Sequence, residues 1–135
     1  AGEFINFDQN RIVFRLADII LLRAECRVRL GNNEGAIADL NTIRERANAE
    51  LYHSSEYGGD LRYAIFKERE KELLMEGCRW YDVIRNEYYK TELYGGFRNV
   101  SKQDILDGVF FNAVDNNEFS ENPLARQNTY WLKRM

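Results

Sequence analysis

The chain has 135 residues, of which 44% are hydrophobic and 30% charged, with one proline, nine glycines and a net charge of −3. That is enough for one domain, or a fragment of one, with its own core, and it excludes a linker or a disordered tail. The slightly acidic balance argues against nucleic acid, whose binders carry a basic face, and two cysteines make neither a disulfide framework nor a four-sulfur metal site.

Residues 1 to 10 are polar and mixed and read as an extended lead-in. Ala1-Gly2-Glu3-Phe4 lacks an initiator methionine and reads as a junction left by cloning or processing, so an upstream region carrying an export signal is expected. A helix is predicted over 12 to 30. Leu16, Ile20, Ala24 and Val28 recur about every four residues near one face, and Ile19, Leu22 and Cys26 widen that stripe. Its longest clean apolar run, Ile19 to Leu22, is far too short to span a membrane. Gly31 suits the left-handed residue that closes a helix, and Asn32 or Asn33 can cap the next.

The second helix is predicted over 34 to 48, with Ala36, Leu40, Ile43 and Ala47 as a narrow seam. A connection of three residues makes the two helices antiparallel neighbours, a helical hairpin. Residues 49 to 59, with Ser54-Ser55 and Gly58-Gly59, read as loop, and Asp60 as the cap of a third helix over 60 to 77 carrying Leu61, Ile65, Leu73 and Leu74. Gly77 marks a bend, and a fourth helix follows over 79 to 89. From 95 to 135 the chain reads as an irregular tail, with a capping box at Ser101 to Asp104 and a short extended piece at Val109-Phe110-Phe111. The whole is expected to be mainly α, helical hairpins followed by an irregular tail, as a single domain or fragment over 1–135. Cys26 and Cys78 fall in helical stretches and are read as small, buried apolar residues.

No catalytic constellation stands out. The one histidine, His53, lies in a loop, and Gly58-Gly59 and Gly95-Gly96 lack the spacing of a phosphate loop. Asp115-Asn116-Asn117-Glu118 offers oxygen ligands without the spacing of a calcium loop. No metal and no cofactor is assigned. The third helix carries Glu68, Glu72 and Glu76 on one ridge, where like charges repel unless answered. Arg69 and Arg79 lie three residues from a glutamate, and Asp82 lies three from Arg79 and from Arg85. Three readings are open: a solvated face, an ionic network that docks the helix, and a carboxylate pair for acid–base chemistry. Catalysis needs two carboxylates in different environments facing a cleft, which one ridge does not supply, so no enzyme is predicted. A network predicts that Glu72 or Glu76 pairs with an arginine of another segment, among Arg15, Arg23 and Arg44. Aromatic residues are the other candidates. Trp80 and Tyr81 are read as core, while Tyr88, Tyr89 and Tyr94 near a turn are weak candidates for stacking on a sugar face.

Taken together, these motifs carry a resemblance. Arg15-Leu16-Ala17-Asp18 through Leu22-Arg23-Ala24-Glu25 resembles the helix that opens the C-terminal region of the SusD/RagB family. Leu30-Gly31-Asn32, Ala36 to Asn41 and Ile43 to Ala47 are similar to its next helix. The ordered set Glu68-Arg69, Glu72-Leu73, Glu76-Gly77, Arg79-Trp80, Asp82 and Arg85 resembles the family's charged run most specifically, and Asn122-Pro123-Leu124 with Gln127-Asn128 and Tyr130 resembles its closing segment. The hairpin at 15 to 48 also resembles a tetratricopeptide unit. Where the family carries a proline-rich turn, this chain has Asn112-Ala113-Val114.

The resemblance implies a tetratricopeptide-like helical scaffold. It implies lipid-anchored outer-membrane proteins that capture glycans or other nutrients without catalysis and sit on a SusC-type TonB-dependent transporter. The chain would be the C-terminal scaffold portion, partnered by the remaining N-terminal part of the same protein, with the anchor in a missing N-terminal segment. Family members are longer, and their ligand residues lie mostly outside this region, so none is carried over. A tetratricopeptide-like protein–protein interaction module is the alternative.

Overall fold

The computed structural model describes residues 13–134, and these form eight α-helices joined by turns, with no strand among them. The lead-in at 1 to 10 and the junction at Ala1 to Phe4 lie outside the described residues. The chain falls into two compact units, one ending at Arg79 and one beginning at Trp80.

In the first unit, α1 (Leu16–Arg29) and α2 (Asn33–Arg46) make the hairpin. Gly31 at φ +78° lets the chain reverse. Its N–H donates to the Val28 carbonyl (3.0 Å) and that of Asn32 to the Arg27 carbonyl (2.8 Å), so the last carbonyls of α1 are satisfied before the turn ends. The Asn32 side chain then accepts from Gly35 N–H and opens α2. The C-terminus of α2 repeats this closure without glycine. Asn48 takes the left-handed conformation, and Ala49 N–H donates to the Arg44 carbonyl at 2.8 Å.

Third comes α3 (Leu61–Glu72), capped by the Asp60 side chain, which accepts from Tyr63 N–H. The three helices enclose one core: Ala17, Leu21 and Ala24 of α1, Ala36, Leu40 and Ile43 of α2, and Leu61, Ala64 and Ile65 of α3. Alanines of all three helices take part in this core, and Ala24 and Ala36 are both fully buried.

Several expectations are corrected here. The buried stripe of α1 runs through Ala17, Leu21 and Ala24, so Leu16 and Ile19 are exposed and Ile20 and Val28 only half-buried. Cys26 lies on the far side of the helix and is exposed, and Cys78 is half-buried, so neither is a core residue. Ala47 falls beyond the end of α2 and is exposed. Helix three stops at Glu72 rather than running to 77, because Met75 and Gly77 both adopt positive φ. That break turns Leu74 to solvent while Leu73 stays buried.

The second unit continues α4 (Arg79–Arg85) and adds α5 (Tyr89–Glu92), α6 (Lys102–Asp107), α7 (Asn116–Glu121) and α8 (Thr129–Leu132). The predicted fourth helix is thus interrupted, with Glu87 in the left-handed region closing α4. Ser101 and Asp104 form a reciprocal capping box at α6. Val109-Phe110-Phe111 is a turn, not an extended piece, because Gly108 ends α6 at φ +96° and brings Val109 and Phe110 inward. The tail carries α7, capped by Asp115, and α8, capped by Asn128. Gln127 holds the closing segment by exchanging two side-chain bonds with the Val114 backbone, both at 3.1 Å. Lys133 with Asp107 and Arg134 with Asp104 tie α8 to α6.

Candidate functional site

Glu68 and Arg69 are adjacent on α3, so their side chains leave the helix about 100° apart and meet different neighbours. Both are buried, and each finds its partner on another helix. Arg69 donates from Nη2 to Asp18 Oδ1 at 2.7 Å and from Nη1 to the Asp18 carbonyl at 3.0 Å, joining α3 to the first turn of α1. Glu68 accepts from Arg44 Nε of α2 at 2.9 Å. The same Arg44 guanidinium reaches Glu56 with both terminal nitrogens, at 2.8 and 3.0 Å, so one buried arginine ties together α2, α3 and the loop between them. On the hairpin itself, Arg23 and Arg27 both pair with Asp39.

Glu72 lies one turn beyond Glu68 and accepts from both Arg15 and Arg46. Glu76, past the end of the helix, accepts from Arg15 Nε at 2.9 Å. Arg15 therefore answers two of the three glutamates of the predicted ridge and Arg44 the third, whereas Arg23 belongs to the hairpin. Arg79 pairs with Glu70 at 3.0 Å and lies over the Phe66 ring, 4.2 Å from its centroid. Within the second unit Arg85 pairs with Asp82 at 2.8 Å. Every glutamate of the ridge is thus engaged by a cation. Asp18, Asp39, Glu56 and Glu70, with Arg27 and Arg46, are the members that sequence reasoning missed. Asp18 had a signal, since it stands among apolar residues of the same helix.

The Glu56 carboxyl is lowered from its ordinary value of 4.5 to about 2, chiefly by its hydrogen bonds from Arg44, with burial opposing and the His53 N–H assisting. A carboxylate whose folded pKa is depressed stabilises the fold above the unfolded value, and that contribution fades as pH falls towards the folded one. Glu76, Asp104 and Asp107 shift in the same direction, led by Arg15, Ser101 and Lys133 respectively. The urea midpoint is therefore expected to hold above pH 4.5 and to fall between there and about pH 2. Glu56→Gln is expected to be less stable at neutral pH and to lose less on acidification. An unchanged acid profile in that variant would remove Glu56 as a cause.

Aromatic residues gather in the second unit. Trp80, Phe97 and Phe110 pack edge-on or tilted, with centroids 5.5 to 6.2 Å apart, and the Trp80 indole N–H donates to the Phe110 carbonyl at 3.2 Å. Tyr89 packs on Phe110 at 5.1 Å, so its ring is used in packing, and Tyr88 is half-buried. Tyr94 is 83% exposed, with the Arg98 guanidinium over its ring at 5.0 Å. Tyr81, read from sequence as core, is 69% exposed because it lies on the outer side of α4 from buried Asp82 and Val83. With Trp80, Ile84, Arg85, Phe110 and Phe111 it lines an open cleft of about 320 Å³. The sequence did not reveal this cleft, because Phe110 and Phe111 reach it only through the turn after α6. His53 is exposed and 3.5 Å from Glu50. Among the described residues no group of three His, Cys, Asp or Glu side chains is placed to hold a metal ion, and no helix is long and apolar enough to cross a membrane.

Comparison with known proteins adds an independent line. The family model described as the SusD family matches residues 4–132. SusD-like protein P38 of Formosa agariphila is 33% identical over 124 residues, covering 85% of this chain and 24% of that protein. SusD-like protein P25 of the same organism is 45% identical over 85 residues, covering 59% of this chain and 16% of its own length. The chain therefore spans about a quarter or less of the curated relatives it matches. No solved structure matches it significantly.

Proposed function

Because the chain belongs to the SusD family, we propose that it is the C-terminal scaffold portion of a non-catalytic protein that captures glycans or other nutrients at the outer membrane. The whole protein would be held at the cell surface by a lipid anchor outside this chain and would hand its ligand to a SusC-type TonB-dependent transporter. The observation that carries this reading is the family match over 4–132. The geometry supports the scaffold part of it. The residues that most resemble the family are engaged in ion pairs: those of Glu68, Arg69, Glu72, Glu76 and Arg79 join neighbouring segments, and that of Asp82 with Arg85 lies within α4. Charges committed to one another across segments hold a shape, which suits a scaffold.

The test uses the protein expressed from the intact gene, probed on a glycan array and then by calorimetry. Binding followed by recovery of chemically unchanged ligand is the expected result, and cleaved product or no binding to any nutrient class would count against it. Of the three tyrosines proposed for stacking, Tyr94 has the exposed ring. A stacked ring contributes about 0.5–1.5 kcal/mol, so Tyr94→Ala is expected to weaken binding roughly two- to tenfold. Unchanged affinity would take Tyr94 off the ligand and leave the chain as scaffold alone.

A further inference from the structure

In the second unit, α4 gives Trp80, Tyr81, Ile84 and Arg85 to the open cleft of about 320 Å³, and the turn after α6 gives Phe110 and Phe111. Trp80 and Ile84 stand four residues apart on the helix, as do Tyr81 and Arg85, so the four make one continuous wall. Phe110 is buried, whereas Tyr81 and Phe111 are each 69% exposed. The cleft is held open by its own bonds. The Trp80 indole N–H donates to the Phe110 carbonyl at 3.2 Å, and the Trp131 indole N–H to the Phe111 carbonyl at 2.7 Å, so two rings pin the turn. Phe97 and Tyr89 pack on the Phe110 ring as well. Isolated exposed rings are ordinary, but rings fixed around a hollow of ligand size form a binding pocket.

We propose that this cleft stacks one uncharged pyranose ring of a glycan. The proposal rests on the capture reading of the whole protein and deepens it by assigning a site within this chain and a class of sugar to that site. Three observations carry it. The first is size. One turn of helix, about 10 Å across and about 5.4 Å long, already exceeds the cleft, whereas a single sugar ring does not. The second is the lining. A pyranose has a flat face of C–H groups that covers an aromatic ring and a rim of hydroxyls that needs hydrogen-bond partners. Tyr81 and Phe111 offer the rings, and Arg85 offers N–H donors to the rim. A wholly aliphatic ligand would desolvate Arg85 and return nothing. The third is charge. Arg85 donates from Nη2 to Asp82 Oδ1 at 2.8 Å, and Asp82 is 2% exposed. An anionic ligand would draw the guanidinium from a buried carboxylate that needs it, whereas a hydroxyl oxygen accepts while the pair stays in place.

The test uses the protein expressed from the intact gene, titrated with the methyl β-glycosides of glucose, galactose and mannose and followed by saturation-transfer NMR. At least one of the three is expected to bind with a Kd of about 1–10 mM, as suits a single small ring. The uronic acid of the same sugar is expected to bind at least about threefold more weakly. Tyr81→Ala and Phe111→Ala are each expected to weaken the neutral glycoside about two- to tenfold. Both side chains are largely exposed, so the thermal melt of each variant should match the parent. Absence of binding by all three glycosides would overturn the proposal, as would unchanged affinity in both variants or a uronic acid that binds as tightly as its neutral parent. Hydroxyl-radical footprinting of the sugar-free protein supplies a second readout. Tyr81 and Phe111 are expected to be labelled, and to be protected by the bound glycoside. If they are already protected without sugar, the rest of the polypeptide fills the cleft and the proposal falls. The glycan array keeps the two readings apart. Capture that survives Tyr81→Ala and Phe111→Ala sinks the cleft alone, whereas glycoside binding here without capture of any glycan sinks the capture reading and leaves the cleft standing.

Discussion

Arg69→Met is expected to destabilise the chain by about 3–5 kcal/mol, measured by urea unfolding followed through helical circular dichroism. Methionine fills much of the volume that the arginine stem occupies, so the loss reports on charge more than on packing. Arg69 is 2% exposed and Asp18 3%, and removing the cation leaves the Asp18 carboxyl buried beside an apolar core without its partner. The Asp18 carbonyl loses a donor as well. A small domain has only about 5–15 kcal/mol of total stability, so the variant would be partly unfolded near physiological temperature. The diagnostic companion is the double variant Asp18→Leu with Arg69→Met. Replacing a buried pair by apolar groups is often neutral or better, so the double is expected to recover most of the loss. A single variant within 1 kcal/mol of the parent, or a double no better than the single, would show that the pair does not hold α3 to α1.

The hairpin was legible because its signals are local. Gly31 supplies the left-handed residue, Asn32 the cap, and Ala36, Leu40 and Ile43 the seam, all within 13 residues. The face that α1 buries was not. Leu16–Ile20 and Ala17–Leu21 are neighbouring apolar stripes on one helix, and composition favours the stripe with the larger side chains. The structure buries the stripe of Ala17, Leu21 and Ala24 instead, which packs in one core with residues of both α2 and α3. The end of α3 was misread for a different reason. Glycine is the usual left-handed signal, but here Met75 turns first and Gly77 second, and a methionine carries no such mark in sequence.

Buried charge is the least legible property of all. Asp18, Arg44, Glu68, Arg69 and Asp82 are each less than 7% exposed, and every one would be placed at the surface by type alone. Arg69 stands 51 residues from Asp18, and Glu68 stands 24 from Arg44, so no window of periodicity contains both members of either pair. The spacing of Glu68, Glu72 and Glu76 did announce that a charge problem existed, because three like charges at four-residue intervals demand an answer. It did not announce which arginines supply it. The aromatic cleft of the second unit was hidden in the same way, its walls coming from α4 and from the turn after α6.

Arg44→Met is the second variant with a large expected effect, and it separates two roles that one residue combines. Arg44 is 5% exposed and bonds Glu68 on α3 and Glu56 in the loop after α2. Loss of the cation leaves buried Glu68 with only the Lys71 ammonium, 3.6 Å away, and a cost of about 2–4 kcal/mol, somewhat below that at Arg69, follows from the same physics. The loop adds a second consequence. Glu56 also accepts from His53 N–H, so the Arg44–Glu56 pair fixes the long connection between α2 and α3. Without it, residues 49 to 60 are expected to become the preferred site of limited proteolysis while α1 and α2 stay protected. Because the Arg44 hydrogen bonds are the chief cause of the depressed Glu56 pKa, the variant is also expected to lose part of the acid transition between pH 4.5 and about 2. Glu68→Gln divides the two effects. It relieves the stranded charge on α3 yet leaves the Glu56 pair in place, so combining it with Arg44→Met should restore part of the global stability and none of the loop protection. If both recover together, the loop is held by the core rather than by Arg44, and the ion pair to Glu56 contributes only what an exposed pair does.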